Sequence, residues 1–337
     1  LSKYIQFFKT IIQMSKKAAF IKELALPVVA APMFLISGPQ LVIECCKNGI
    51  VGTFPALNQR STEGFEDWLV EIKTELKKYE EETGKKAAPY GVNLIVHPTN
   101  PRLEADLKVC IKHKVPLIIT SLGAVSQLVN AIHSYGGLVF HDIIKKRHAE
   151  KAAEAGADGL ILVSAGAGGH AGTINPMSLV AEIKKFYDKT ILLSGCISTG
   201  RDIASALQMG ADLAYMGTRF INTKESKASE EYRQMIINAG ASDVVYTAAI
   251  SGVHANFLGA SLKAAGITEE DLKKDRKIDF GKELNTEAKA WKTIWSAGQG
   301  VTTINNVESV SELVANLKSE FKSAIEDHIK ILETYPK

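Results

Sequence analysis

Eight short apolar runs recur along the chain, each followed by a helical pattern, and this rhythm limits the fold more than any other feature. The runs are "PVVAAPM" (27–33), "GIVGTF" (49–54), "YGVNLIV" (90–96), "PLIITSL" (116–122), "GLVFHDI" (137–143), "GLILVSA" (159–165), "TILLSGC" (190–196) and "LAYMGT" (213–218). Each is about as long as one strand, and continuous apolarity fits a strand buried on both faces of a parallel sheet. Parallel strands need crossover helices, and the intervening segments supply them. Phe65, Trp68, Leu69, Ile72, Leu76 and Tyr79 share one helical face; so do Leu103, Leu107, Cys110 and Ile111, and Val125, Leu128, Val129 and Ile132. Eight such units predict a closed (β/α)8 TIM barrel of the α/β class, with an open doubly wound sheet as the runner-up. A length of 337 residues suits a barrel carrying an insertion, and 46% hydrophobic residues can fill its core.

Local signals agree with that reading. In "INPMSLVAEIKKFY", Asn175 is an N-cap candidate and Pro176 stands at the first helical position. "AEAGADGLILV" and "LQMGADLAYMG" resemble each other: in both, Gly ends a helix and Asp precedes a buried strand. Beyond residue 220 the rhythm changes. "KESKASEEYRQMIINAG" and "HANFLGASLKAAG" read as helices, "DVVYTAAISG" as a strand or extended loop, and "ITEEDLKKDRKIDFGKEL" as a solvated excursion. A final helix carries Val310, Leu313, Val314, Leu317, Phe321 and Ile325. The expected organisation is therefore a barrel from 1–224 plus 306–337, with a mostly helical insertion at 225–305 capping its substrate side.

Charge excludes some partners. Forty basic residues oppose 37 acidic ones, a net of +3, which gives no argument for nucleic acid or an anionic membrane. Cys45, Cys46, Cys110 and Cys196 form neither a metal motif nor a disulfide framework, so reduced thiols and no metal are expected. "LSKYIQFFKTIIQMSKK" (1–17) is amphipathic without a signal-peptide core, and no run approaches the roughly 18 apolar residues of a membrane span. A soluble, cytoplasmic protein is the expectation.

Barrel enzymes place their sites at the carboxyl ends of the strands. Those ends are Ala31-Pro32-Met33, Thr53-Phe54, Asn93, Thr120-Ser121, His141-Asp142, "SAGAGGHAGT" (164–173), Ser194-Gly195-Cys196 and Gly217-Thr218. In "SAGAGGHAGT" four glycines surround His170, an imidazole suited to titrating near neutral pH on a backbone that a ligand can approach closely. "SGCISTG" and "MGT" each set Gly and another small residue before a helix, which together suggest a phosphate cradle. No separate G-x-G-x-x-G element follows a strand.

The quartet "APM", "GVNLI", "AGGHAG" (167–172) and "GADLAYMGTRF", with "WSAGQGV" (295–301), resembles the nitronate monooxygenase (2-nitropropane dioxygenase) family over nearly the whole chain. The resemblance implies an FMN-dependent TIM barrel that uses O2 to oxidise alkyl nitronates to a carbonyl compound and nitrite. It places the catalytic histidine at His170 and the flavin contacts at Met33, Asn93, Gly168, Gly195, Gly217 and Thr218. His141 and His97 are candidates for the substrate side. The implied partners are a small nitronate and O2, and a homodimer is one assembly the chain could form. Three positions depart from many members: Val163-Ser164-Ala165 before the glycine loop, Cys196 where a second Gly is common, and His141-Asp142 where some relatives have His-Lys.

Blander roles compete for these residues. His170 could be an idle loop histidine, His141 a satisfied core group, His97 a turn residue before Pro98, and Met33 plain core. Cys196 reads as packing beside the phosphate, and the Lys/Glu run at 71–86 as a solvated helix face. Two further functions stay open. One is an NAD(P)H-dependent flavin reductase acting on quinones or enoyl thioesters, as in related barrels. The other is a flavin-free phosphate-binding barrel.

Overall fold

Eight parallel strands close on themselves through pairing of the first with the last in the computed structural model, which describes residues 18–250, 252–274 and 293–335. The elements run β1 (Val28–Ala30), α1 (Pro39–Lys47), β2 (Val51–Pro55), α2 (Thr62–Thr83), β3 (Tyr90–Ile95), α3 (Leu103–His113), β4 (Leu117–Ser121), α4 (Ser126–His133), β5 (Leu138–Ile143), α5 (Lys146–Glu154) and β6 (Gly159–Val163). They continue with the two-residue β7 (Gly169–His170), α6 (Pro176–Ile183), β8 (Thr190–Ser194), α7 (Gly200–Met209), β9 (Leu213–Met216) and α8 (Thr218–Ile221). The remainder is α9 (Glu230–Ile237), β10 (Val244–Thr247), β11 (Ala255–Leu258), α10 (Gly259–Ala264) and α11 (Val310–Thr334). The barrel order is β1-β2-β3-β4-β5-β6-β8-β9, so each of the eight apolar runs contributes one stave. The amphipathic stretch 1–17 lies outside the described residues.

Alternation along the staves divides the core into layers. Val29, Val51, Leu117, Ile119, Phe140, Ile161, Leu192, Leu213 and Tyr215 form one buried cluster, the barrel interior. Their neighbours, among them Val92, Ile118, Val139, Leu160, Leu193 and Ala214, pack outward against the helices.

The local signals have physical counterparts. Asn175 accepts from the Met177 N–H and caps α6, with Pro176 in its first turn. The repeated helix-Gly-x-Asp unit works the same way twice. Gly156 and Gly210 take φ of 98° and 108°, ending their helices. Asp158 then accepts from the Val139 N–H at 2.8 Å, and Asp212 from the Ile191 N–H at 3.0 Å. Each aspartate therefore ties the start of its own strand to the preceding stave.

The 225–305 segment holds helices α9 and α10 and also an antiparallel pair. β10 pairs with β11, and β11 pairs with β7. The first part of "HANFLGASLKAAG", expected as helix, is strand β11. Pairing on both edges, with Ala255 and Phe257 fully buried, overrides the local helical preference. Among the described residues, no helix is long and apolar enough to cross a membrane.

Candidate active site

The glycine loop after β6 is fastened on several sides. Gly169 lies opposite Asn256 and His170 opposite Ala255 across the β7–β11 ladder. The Asn256 amide donates to the Ala167 carbonyl at 2.7 Å, and the Tyr246 hydroxyl donates to the Ala171 carbonyl at 3.0 Å. The Ala171 N–H in turn donates to the His254 carbonyl at 3.2 Å. His170 is thus half-buried on a small sheet at the barrel mouth. Burial holds its imidazole below the usual value, and the Asp142 carboxylate pulls it partly back up. A neutral imidazole keeps one N–H that can serve an anion as a donor.

The glycines form an arc. A side chain on Gly168 would lie 2.7 Å from the Gly298 nitrogen, and one on Gly298 would lie 2.5 Å from the Gly166 carbonyl. Two loops distant in sequence therefore touch backbone to backbone, which only glycine allows. The Thr218 hydroxyl accepts from the Gly298 N–H at 2.9 Å, and Gln299 donates from its N–H to the Gly166 carbonyl at 2.9 Å. On the other side, a Cβ on Gly217 would stand 3.7 Å from Ala31 and 3.9 Å from Met33, ordinary van der Waals contact, so Gly217 and Met33 are neighbours. Gly195 has φ 128°, and a side chain there would strike Ser164. Cys196 is exposed with φ 57°, so it keeps the left-handed backbone that a glycine would take. Partial covering of its sulfur, and more weakly Asp202, pushes the thiol up, which argues against a nucleophile.

Ser198, beside Gly300 in this arc, is 2% exposed, and its hydroxyl has no hydrogen-bond partner. A buried hydroxyl left unpaired costs about 1–3 kcal/mol and marks a place where a polar ligand belongs. Bare backbone and the Ser198 hydroxyl together suit an anionic group such as a phosphate, whereas the first N–H groups of α7 are already taken by Asp202, Glu320 and the Thr199 cap. Among the described residues, no three His, Cys, Asp or Glu side chains gather as a metal site.

Asn93 faces the barrel interior near its mouth. Its amide donates to Ser121 Oγ at 2.8 Å and to the Ile119 carbonyl at 3.2 Å. Ser121 donates to Asp142 Oδ2 at 2.5 Å. Burial pushes Asp142 up to about 6, against the lowering effects of Ser121 and His170.

His141 is held elsewhere. It alternates with the inward Phe140 and Asp142, so it points away from the interior, where Thr120 Oγ1 meets its Nδ1 at 2.7 Å. Burial lowers His141 to about 4. The pocket-facing member of the His141-Asp142 pair is therefore Asp142. His97 sits in a turn, its Nδ1 2.9 Å from Thr99 Oγ1 and its carbonyl accepting from the Asn100 N–H.

The model of the family described as nitronate monooxygenase matches residues 57–320. The chain belongs to that family. It is 26% identical to a nitronate monooxygenase of Paraburkholderia phytofirmans, a match covering 89% of this chain and 93% of that protein. It is 27% identical to (3aS,4S,5R,7aS)-5-hydroxy-7a-methyl-1-oxo-octahydro-1H-indene-4-carboxyl-CoA dehydrogenase of Rhodococcus jostii, over 70% of this chain and 63% of that protein. Among solved structures, nitroalkane oxidase from Streptomyces ansochromogenes superposes with a TM-score of 0.78 at 23% identity, covering 92% of this chain and 100% of that one. FabK from Thermotoga maritima does so with a TM-score of 0.73 at 23% identity, covering 92% and 97%. At that identity the two structures establish the fold. Family membership makes this nitronate monooxygenase family chain a flavin-dependent oxidoreductase.

Sequence reasoning did not select Asp142, Ser121, Ser198 or the β10–β11 pair. Period-two parity counted from Phe140 was the available signal for Asp142. Ser121 stood at the end of the fourth run, Ser198 inside "SGCISTG" and β10 inside "DVVYTAAISG", but nothing local gave their partners.

Proposed function

We propose that this protein oxidises alkyl nitronates with O2 to a carbonyl compound and nitrite, using FMN. What carries the reading is His170, held by a strand pair at the mouth of the barrel, next to a glycine arc with an unpaired buried hydroxyl. FMN, when bound, supplies the redox chemistry. Gly195, Gly217, Thr218 and Gly168 would hold its phosphate end, and Met33 and Asn93 its ring and ribityl chain. In the same proposal, residues 225–305 are the substrate-side cap, with β11 paired to the strand that carries His170.

The residues then divide the work. His170 donates an N–H to the anionic nitro group and fixes its position. The apolar barrel interior beneath, lined by Phe140 and Ile161, keeps water from the reacting carbon. His141, turned outward, takes no part in substrate contact, and His97 stays at the rim as a turn residue.

An anaerobic titration of the purified protein followed by visible absorbance tests the reading. Loss of the oxidised flavin bands with a small alkyl nitronate alone is the expected result. Bleaching by NADH or NADPH and not by nitronate would move the protein to the reductases of quinones or enoyl thioesters. Failure to bind added FMN would leave a flavin-free phosphate-binding barrel.

A further inference from the structure

Asn93 has its side-chain N–H groups committed within the barrel wall. Its amide nitrogen donates to Ser121 Oγ at 2.8 Å and to the Ile119 carbonyl at 3.2 Å. That orientation cannot be reversed. Ser121 has a single hydroxyl proton, which it gives to Asp142 Oδ2 at 2.5 Å, so towards Asn93 it can only accept. The Ile119 carbonyl has no proton to give. A flipped amide would set its oxygen against two acceptors and lose both bonds.

Asp142 gives this relay its direction from β3 through β4 to β5. With its value at about 6 it is a carboxylate at pH 8 and can only accept. The atom left over is Asn93 Oδ1. The residue is 6% exposed, yet among the described residues Oδ1 accepts from no donor, and it is not sealed from solvent either. Below it the interior is filled by Ile119, Phe140 and Ile161, so the space it meets is the barrel mouth. A nearly buried carbonyl oxygen facing such a space calls for a donor.

We propose that Ser121 and Asp142 are positioning residues for Asn93: they lock its amide so that the barrel mouth meets the carbonyl oxygen alone, and that oxygen accepts a hydrogen bond from bound FMN. This rests on the reading of FMN as the cofactor. Oxidised flavin offers two kinds of donor, the N3–H of the ring and the hydroxyls of the ribityl chain. N1, N5 and the two ring carbonyls are acceptors, and a fixed Oδ1 turns them away. The relay therefore acts as a polarity filter, deciding which edge of the cofactor can lie against β3.

The test has two arms, both at pH 8 on the whole chain. The first follows side-chain amides by NMR in the absence of flavin, with the Asn93 pair assigned by its loss in Asn93→Leu. Ser121→Ala should speed exchange of the Asn93 amide protons with solvent severalfold, and Ser121→Thr, which keeps the hydroxyl, should restore the slow rate. Unchanged exchange in Ser121→Ala overturns the lock. Should that variant misfold, Ser121→Cys, of nearly the same shape but a poor acceptor, is read in its place by the same criterion. The second arm compares FMN with N3-methyl FMN and with an analogue lacking the ribityl hydroxyls, by fluorescence titration. Wild type should bind one of the two about fivefold or more weakly than FMN, the worth of one hydrogen bond, and which one identifies the donor. Asn93→Leu should lose most of that preference, and Ser121→Ala and Asp142→Ala, which frees the Ser121 proton, should each reduce it. A ratio of two affinities within one variant cancels general damage to the fold. Equal preference in wild type and Asn93→Leu for both analogues overturns the acceptor role, and a wild-type ratio in Asp142→Ala removes Asp142 from the lock. Failure to bind FMN at all would sink the cofactor reading, and with it the flavin contact, while amide exchange still decides the lock.

Discussion

His170 lies opposite Ala255 in an antiparallel ladder, with Gly169 opposite Asn256. An imidazole that local sequence places in a bare glycine turn is therefore carried on a strand, its backbone set by a distant hairpin. The contacts of the glycine arc are made by backbone atoms and the Thr218 hydroxyl, with no part played by the imidazole. Changing the ring should therefore disturb chemistry and spare cofactor binding. His170→Asn should keep flavin bound at near wild-type affinity and lose at least tenfold in turnover with nitronate. Wild-type turnover would remove His170 from the reaction.

Asp142 illustrates the stability side of the same site. Its folded value of about 6 stands above the usual 3.8, so its favourable contribution is fully present below pH 3.8 and lost as pH rises through 6. At pH 8 the fold must bury a carboxylate. Asp142→Asn should therefore unfold later in urea than wild type at pH 8, by about 1–3 kcal/mol, with the advantage gone at pH 4. Equal gains at both pH values would contradict this account.

His141 has the opposite sign. Its value of about 4 is depressed from 6.5, so the stability it confers is present above pH 6.5 and drains away as pH falls towards 4, where the unfolded chain binds a proton that the native state refuses. His141→Gln, which can still meet Thr120, should flatten the loss of stability across that window by about 1–3 kcal/mol. Turnover at pH 8 should hardly change, because the side chain points away from the interior.

Gly298 and Gly168 approach each other where no Cβ fits. Gly298→Ala should push the two loops apart and weaken FMN binding at least tenfold, measured by fluorescence titration. The secondary structure seen by circular dichroism should persist, since the contact lies outside the staves. Unaltered flavin affinity would show that the arc is not the cradle.

Much of this was readable from the chain. All eight staves, the Asn175-Pro176 helix start and the repeated Gly-x-Asp units follow from patterns spanning a dozen residues or fewer. The glycine arc was half legible: Gly168, Gly195, Gly217 and Thr218 stood at strand ends, but the contact of Gly168 and Thr218 with Gly298 depends on a loop far along the chain. "HANFL" was misread as helix because its strand state comes from partners at 169–170 and 244–247.

The amino-acid sequence by itself determined a closed barrel with a glycine-flanked histidine after its sixth stave. Apolar runs buried on both faces and helices between them leave a chain few other ways to hide its surface. Tertiary structure alone decided that Asp142 turns inward and His141 outward, because parity becomes a direction only once the barrel closes. It alone joined β7 to β11 and brought Asn93, Ser121 and Asp142 into one relay. Those contacts link segments tens of residues apart, and only the shared curvature of the barrel puts their side chains within hydrogen-bond reach.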